Sequence, residues 1–276
     1  MNSSNSKVGI FDSGVGGLSV WREAIKLMPG QKFIYIADSA HCPYGPKSVE
    51  YIIDRARVIT EKLISLGASI IVVACNTATS AAIEHLRREY SVPFIGMEPA
   101  VKPAALLTKT GVIGVLATKG TLSGERYHSS VCKYASNVHV VERVGTGLVD
   151  LVERGVVEGQ EPYNLLLKYL TPMVEEGADQ IVLGCTHYPF LKDVISKIVG
   201  SSVSIVDPSP AVARQLYVKA NERGIYSNRF KDVGVDLYRL CYCDTDFIST
   251  SSSVSSLKIL SRSVIPNIPD DCYFTI

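Results

Sequence analysis

Short apolar runs alternate with amphipathic stretches along most of the chain. Eight of these runs are rich in β-branched residues and show little alternation between apolar and polar positions, which is typical of strands buried in a parallel sheet. Amphipathic patterns that predict helices lie between or after them, at residues 49–66, 163–176 and 211–223. This order predicts βαβ units and a doubly wound α/β architecture. The eight predicted strands are residues 8–11, 33–36, 70–74, 94–95, 112–116, 138–141, 181–183 and 203–206.

An internal repeat divides the chain into two similar halves. Residues 66–77 match residues 176–187, so that Cys75 and Cys185 are equivalent at an offset of 110 positions. Two shorter matches, near Asp12 and near Pro99, occur in the same order at similar offsets. Because three matched segments in one order indicate a duplication, the chain is expected to form two α/β domains, each with a mainly parallel sheet flanked by helices. We predict a discontinuous first domain, 1–99 plus 211–276, and a second domain, 100–210.

The end of the chain is less regular than the rest. Residues 250–256 are rich in serine, and Pro266 and Pro269 interrupt any element that follows. The sequence therefore predicts a loop and a partly ordered extension there.

Composition and charge exclude several classes of protein. The 276 residues are 46% apolar, which is incompatible with intrinsic disorder and sufficient for a sizeable core. The formal net charge of +1 argues against a nucleic-acid-binding protein. No apolar run approaches the length of a membrane span, and the apolar stretch near the N-terminus is too short for a secretion signal.

The seven cysteines do not predict a disulfide framework. Their number is odd, they include no C-x-x-C pair, and the chain is too long to need cross-linking. We expect a reduced, cytoplasmic protein in which some thiols are functional. Cys241 and Cys243 alternate on one strand face and are expected to pack in the interior. Nothing in the spacing of histidines and cysteines predicts a metal site.

Cys75 and Cys185 each follow a predicted strand and precede a helical pattern. Each thiol should therefore lie at the carboxyl end of its sheet, near a helix N-terminus that favours a thiolate. Because the helix dipole contributes only about 0.3–1 kcal/mol, a further titratable group must assist each thiol. By position, these groups are Asp12 and His187. One thiolate and one thiol facing each other suit cofactor-free inversion of a carbon acid, in which a base and an acid exchange roles with direction.

A glycine-rich segment, residues 12–17, follows the first strand. Its spacing does not fit a dinucleotide-binding G-x-G-x-x-G motif or a phosphate-binding Walker loop. We interpret it as a tight loop that presents Asp12, Ser13 and backbone N–H groups to a small ligand with carboxyl and amino groups. Residues 117–121 form the counterpart in the second half, and the turn Pro43–Tyr44–Gly45 could close over such a ligand.

Four motifs in order resemble the glutamate racemases of the aspartate/glutamate racemase superfamily. They are residues 11–18, Asp38 with residues 43–45, residues 74–78 and residues 184–187, and the similarity extends from about Val8 to about Phe247. The resemblance implies two pseudo-symmetric α/β domains with the active site at their interface, no cofactor and no metal. The segment Ala40–His41–Cys42 departs from the usual pattern.

The resemblance also implies a role for individual residues. Cys75 would act on D-glutamate and Cys185 on L-glutamate, assisted by Asp12 and His187, with Glu153 and Asp38 as further acidic neighbours. The implied function is the supply of D-glutamate for peptidoglycan synthesis. A homodimer is compatible with the resemblance. The implied substrate contacts are Asp12, Ser13, Pro43, Tyr44, Gly45, Asn76, Thr77, Thr118, Thr121, Thr186 and His187.

Other functions remain open at this point. An aspartate racemase of the same superfamily would share these motifs. A pyridoxal-dependent racemase would use Lys119, which is expected to be exposed on a loop. A two-lobed amino-acid-binding protein would share the two α/β halves, but it would be exported.

Overall fold

The computed structural model describes residues 6–226, 245–266 and 268–276, and all its strand pairs are parallel. The first sheet has six strands in the order β10-β9-β2-β1-β3-β4, and the second has four in the order β6-β5-β7-β8. Helices flank both sheets, as the sequence predicts. The strands are β1 (Lys7–Asp12), β2 (Lys32–Ala37), β3 (Ala68–Val73), β4 (Phe94–Gly96), β5 (Val112–Ala117), β6 (His139–Val144), β7 (Gln180–Gly184), β8 (Ser204–Val206), β9 (Thr245–Ser249) and β10 (Tyr273–Thr275).

The helices connect successive strands, and three of them coincide with the predicted helical patterns. These three are α2, α8 and α10. Short 3₁₀ turns occur at Ser39–His41, Tyr188–Leu191 and Asp270–Cys272. Numbered within the described residues, the helices are α1 (Leu18–Leu27), α2 (Val49–Ser65), α3 (Asn76–Glu89), α4 (Val101–Leu107), α5 (Lys119–Leu122), α6 (Glu125–Tyr134), α7 (Leu148–Glu153), α8 (Gln160–Glu175), α9 (Lys192–Val199), α10 (Ser209–Glu222) and α11 (Ser255–Val264).

The sequence repeat corresponds to equivalent strands in the two sheets. In each sheet a central pair, β1–β3 or β5–β7, is flanked by one strand on either side, β2 and β4 or β6 and β8. Strand β5 begins and ends 105 positions after β1, which is the offset of that segment in the repeat. The chain thus forms the same four-stranded arrangement twice, and the first sheet is extended by β9 and β10.

The predicted domain boundaries stay a prediction, although the strands are distributed in the way they imply. Strands β1–β4, β9 and β10 form one sheet, whereas β5–β8 form the other. The boundary at 210/211 falls at the start of α10, which packs against α1.

One apolar cluster joins the two halves. It contains Trp21 and Tyr35 from the first half and Leu170 and Leu183 from the second, all fully buried. Two smaller clusters each lie within a single half. Because burial of apolar surface is the main stabilising contribution, the shared cluster stabilises the contact between the halves as well as each half.

The tail is more ordered than the sequence predicts. Its helix α11 begins at Ser255, inside the expected loop, and β10 adds an edge strand parallel to β9. The ring of Tyr273 stacks on Phe247 at 5.2 Å between centroids, and its hydroxyl lies 2.7 Å from the Ser261 hydroxyl. The prediction of an extension after the two prolines was wrong because these contacts fix a short strand that has no periodic signal of its own.

Cys241 and Cys243 lie outside the described residues. No helix in the described part of the chain combines the length and apolarity needed to cross a membrane.

Candidate active site

A small cavity lies where the carboxyl ends of the central strands of both sheets meet. Ligands of open parallel sheets bind at this end of the strands. Eleven of the predicted site residues line the cavity, and Val149 is the one lining residue that the sequence analysis did not name. The predicted residues in its wall are Ser13, Pro43, Tyr44, Gly45, Cys75, Asn76, Thr77, Thr118, Cys185, Thr186 and His187.

Cys75 is the N-cap residue of α3. Its Sγ atom accepts a hydrogen bond from the backbone N–H of Ala78, at 3.4 Å, so the thiol lies at a helix N-terminus as predicted. The thiol also lies 3.7 Å from the Ser13 hydroxyl, which donates to Oδ1 of Asp12 at 2.9 Å. A chain of hydrogen bonds therefore runs from Cys75 through Ser13 to the buried Asp12 carboxyl.

Cys185 has a histidine as its partner. Its Sγ atom lies 3.7 Å from Nδ1 of His187, and Nε2 of the same ring lies 2.7 Å from Oε1 of Glu153. Here the expectation of a helix N-terminus was wrong, because a 3₁₀ turn with Pro189 follows Cys185 and the α-helix begins only at Lys192. Pro189 has no N–H and restricts the residue before it. Because no α-helix begins next to Cys185, His187 is the group that can stabilise a thiolate there.

Burial and hydrogen bonding shift the proton affinities of this site. Burial raises the pKa of Asp12, and the charge of His187 and the hydrogen bonds from Thr186 and Ser13 oppose this only in part. Burial and the nearby Asp12 also raise the pKa of the Cys75 thiol. Burial alone would lower the pKa of His187, but hydrogen bonds with Cys185, Cys42 and Glu153 raise it well above its usual value. His187 therefore holds its proton more tightly than a free imidazole, and Cys75 holds its proton more tightly than a free thiol.

The glycines of the loop at residues 12–17 make room for side chains of the other half. A Cβ atom on Gly14 would overlap the Glu153 carboxylate, and one on Gly16 would overlap the His187 ring. The backbone N–H of Val15 donates to Oε1 of Glu153 at 2.7 Å. The loop thus receives the His187–Glu153 pair, which refines the prediction that its N–H groups serve the ligand.

Tyr44 is fixed by charged residues behind the cavity. Its hydroxyl donates to Oδ2 of Asp38 at 2.6 Å, and Arg55 forms two hydrogen bonds with the same carboxylate, at 2.8 and 3.0 Å. His41 contacts Asp38 as well, at 2.9 Å. Asp38 therefore holds Tyr44 in the cavity wall between Pro43 and Gly45. Arg55 was not predicted. It lies on helix α2, 17 positions after Asp38, and no spacing pattern in the sequence links the two residues.

Threonine hydroxyls connect the two halves around the cavity. Thr77 of the first half lies 2.9 Å from Thr118 and 3.4 Å from Thr121 of the second. Thr186 donates across the interface to Oδ2 of Asp12 at 2.8 Å. These hydroxyls can exchange their contacts with each other for contacts with a polar ligand.

Asn76 carries an unpaired donor. Its buried Nδ2 atom has no hydrogen-bond partner within residues 6–226, 245–266 and 268–276. Because an unsatisfied buried donor is costly, a ligand oxygen is its natural partner in this cavity.

Some predicted residues stand behind the wall instead of in it. Asp12 is fully buried behind Ser13, Thr121 is buried behind Thr77 and Thr118, and Glu153 lies behind His187. Lys119 is exposed at the start of α5 and does not line the cavity. Cys42, to which the sequence analysis gave no role, lies beside His187 and Glu153.

Comparison with known proteins adds independent observations. A family model described as Asp/Glu/hydantoin racemase matches residues 19–216. A curated glutamate racemase from Ectopseudomonas mendocina is 51% identical over 217 residues, covering 78% of this chain and 82% of the relative. The crystal structure of Escherichia coli glutamate racemase in complex with L-glutamate and the activator UDP-MurNAc-ala is similar, with a TM-score of 0.82, 27% identity and coverage of 98% of this chain and 97% of that one.

A second solved structure shows the same likeness. It is glutamate racemase from Francisella tularensis in complex with D-glutamate, with a TM-score of 0.79 and 26% identity, covering 99% of this chain and 97% of that one. Fold, site and similarity together define an α/β isomerase with two parallel sheets and a pair of thiols in a cavity at the ends of their strands. The chain belongs to the Asp/Glu/hydantoin racemase family.

Proposed function

We propose that the protein interconverts L- and D-glutamate by a two-base mechanism that uses Cys75 and Cys185. The observation that carries the proposal is that both thiols line one cavity, each at the end of an equivalent strand of a different half. Each thiol also has its own polar partner, Asp12 through Ser13 for Cys75 and His187 for Cys185.

The two thiols divide the reaction between the faces of the substrate Cα. In the L-to-D direction, the Cys185 thiolate takes the Cα proton and the Cys75 thiol delivers a proton from the other face. The enzyme then holds a Cys185 thiol and a Cys75 thiolate, and the reverse reaction restores the starting state. Because a carbon acid needs a strong base, a thiolate generated next to the substrate supplies general base catalysis worth about 10²- to 10⁴-fold.

The partners of the thiols set the protonation states before the reaction. In the D-to-L direction, in which Cys75 is the base, Asp12 is positioned to accept the Cys75 proton through Ser13. The charged His187, held by Glu153, stabilises a thiolate at Cys185. This arrangement compensates for the missing helix dipole at Cys185 with a full positive charge.

The polar wall of the cavity fits an amino acid with a second carboxylate. The free Nδ2 donor of Asn76 and the first N–H groups of α3 are suited to one carboxylate, because helix N-termini bind anions. Thr118, Thr186 and Tyr44 are further polar residues in the wall of the same cavity. Glutamate is preferred over aspartate because the similar proteins named above are glutamate racemases. Supply of D-glutamate for peptidoglycan and a homodimeric state remain predictions.

The test is exchange of the Cα hydrogen in deuterium oxide, followed for each enantiomer of glutamate by NMR. The wild-type protein should incorporate deuterium into both enantiomers without added pyridoxal phosphate. Cys75→Ser and Cys185→Ser should each reduce racemisation by about 10²-fold or more, because a serine hydroxyl is a far weaker acid than a thiol.

A matched control is Cys132→Ser, because Cys132 is an exposed cysteine outside the cavity. It should keep wild-type turnover. Full activity in either active-site variant would refute the two-thiol mechanism. Faster turnover of aspartate than of glutamate would refute the substrate.

A further inference from the structure

Cys42, Glu153 and His187 come together from three distant parts of the sequence. One ligating atom from each lies within 4.8 Å of the others. Cys42 lies on the loop after the 3₁₀ turn Ser39–His41, Glu153 ends α7, and His187 follows β7. No spacing motif in the sequence predicts this cluster, because its members are more than 30 positions apart.

The three donors are those that zinc prefers. Thiolate sulfur, imidazole nitrogen and carboxylate oxygen bind Zn²⁺ at about 2.0–2.3 Å, so ligand atoms around a tetrahedral ion lie about 3.5 Å apart. The three ligand atoms now lie within 4.8 Å of one another, so the side chains would have to move closer together to bind one ion. Both residues are half-buried whereas His187 is buried, so a fourth position on the ion could hold water.

The surroundings hold two of these donors in place. Oε1 of Glu153 accepts the Val15 N–H at 2.7 Å, and the absence of side chains at Gly14 and Gly16 leaves space for the carboxylate and the ring. Support of this kind orients metal ligands and raises affinity. Cys42 contacts His187, but it exchanges no proton with the substrate in the reaction proposed above and does not line the catalytic cavity.

We propose that Cys42, Glu153 and His187 form an inhibitory binding site for a thiophilic divalent cation, with Zn²⁺ as the best fit. On binding, the Cys42 thiol and the His187 imidazolium each release a proton to solvent, and the freed sulfur and ring nitrogen form bonds to the ion. An ion shared by His187 and Glu153 replaces their hydrogen bond and removes the charged imidazolium from Cys185. The inhibition rests on the proposed function, whereas the binding does not.

Binding is tested without reference to activity. Chelator-treated wild-type protein is titrated with Zn²⁺ against a chromophoric chelator, and separately with Co²⁺, whose bond to a thiolate gives a near-ultraviolet charge-transfer band. The wild-type protein should bind one equivalent of Zn²⁺ and show the band. Cys42→Ser should lose both, whereas Cys132→Ser, which changes an exposed thiol, should keep them.

Inhibition is then tested by racemase assays with and without Zn²⁺. The turnover of each protein with Zn²⁺ is compared with its own turnover in chelator, and a Zn²⁺ concentration that reduces wild-type turnover tenfold should leave that of Cys42→Ser unchanged. Equal Zn²⁺ binding and inhibition in Cys42→Ser would place the ion on the catalytic thiols and overturn the proposal, as would failure of the wild type to bind. If the protein has no racemase activity, the Co²⁺ band still decides whether the site exists.

Discussion

Asp12 illustrates how one residue can serve both halves. Its carboxyl accepts hydrogen bonds from Ser13 in its own half and from Thr186 in the other, and it is fully buried. Burial of a carboxylate is costly unless hydrogen bonds or opposite charges compensate. Because burial raises the pKa of Asp12 despite these hydrogen bonds, we expect the ionised carboxylate to be less stable in the fold than in water.

Replacing Asp12 with Asn should therefore stabilise the fold while it impairs the reaction. A carboxyl whose pKa is raised in the folded state binds protons more tightly when folded, so its contribution to stability falls as pH rises from about 4 through the raised pKa. The Asp12→Asn variant has no carboxyl at this position, so it does not lose stability in this way as pH rises. Its melting temperature should exceed that of the wild type at pH 7, and the difference between the two melting temperatures should become smaller towards pH 4.

The same variant should lose about 10²-fold or more in kcat, because the proton acceptor behind Ser13 is gone. Circular-dichroism melts at several pH values and a racemase assay measure the two effects. A melting temperature below that of the wild type at pH 7 would contradict the stability prediction. Ser13→Ala, which breaks the relay and keeps the carboxyl, should lower kcat without the pH-dependent gain in stability.

The residues of the cavity wall could be predicted from the sequence, but the contacts behind the wall could not. The thiols, Asn76 and the threonines were predictable because strand ends and the internal repeat place them at one edge of each sheet. Arg55 and Cys42 were not, because their partners are distant in sequence and their role arises only when the chain is folded. Likewise, the glycines of the loop suggested a ligand, whereas the space they leave is filled by Glu153 and His187.

At the scale of elements, the first eight strands were predicted and the last two were not. Strands β1–β8 are short apolar runs in a regular alternation with helices. Strand β10 has only Tyr273 buried, and Phe274 is 45% exposed. Such an edge strand is specified by stacking on Phe247 and by pairing with β9, and neither interaction leaves a periodic pattern in the sequence.

Tyr273→Ala should therefore destabilise the protein with no change in catalysis. Loss of a stacked, largely buried ring costs about 3 kcal/mol, which lowers the melting temperature by about 2–4 °C per kcal/mol. The KM for glutamate should not change, because β10 is separated from the central strand β1 by β9 and β2. The matched control is the exposed neighbour Phe274→Ala, which should melt within a degree or two of the wild type. Equal melting temperatures for the two variants would show that β10 does not stabilise the sheet.

At the scale of the whole molecule, the shared apolar cluster couples the two halves. Trp21, the only tryptophan, lies in the first half, whereas Leu170 lies on α8 in the second. Both side chains are fully buried in one cluster. The two halves should therefore unfold in a single transition, although each has its own sheet.

Leu170→Ala tests this coupling. Removing the buried side chain should cost about 2–5 kcal/mol, and the urea midpoint should decrease equally by circular dichroism and by Trp21 fluorescence. Leu167→Ala, at a position that is 39% exposed on the same helix, should leave both midpoints near the wild-type value. A Trp21 midpoint that stays unchanged in Leu170→Ala while the dichroism midpoint falls would show that the halves unfold independently.

The position of β9 next to β2 has a consequence for synthesis on the ribosome. Strand β2 pairs with β1 on one side and with β9 on the other, and β9 is made more than 200 residues after β2. Until Thr245–Ser249 leaves the ribosome, the apolar strand β2 presents an unpaired edge, which can recruit strands of other nascent chains. The second sheet is complete well before that point, so the half that begins the chain is the last to close. A strand that is translated late thus covers the edge of a strand that is translated early.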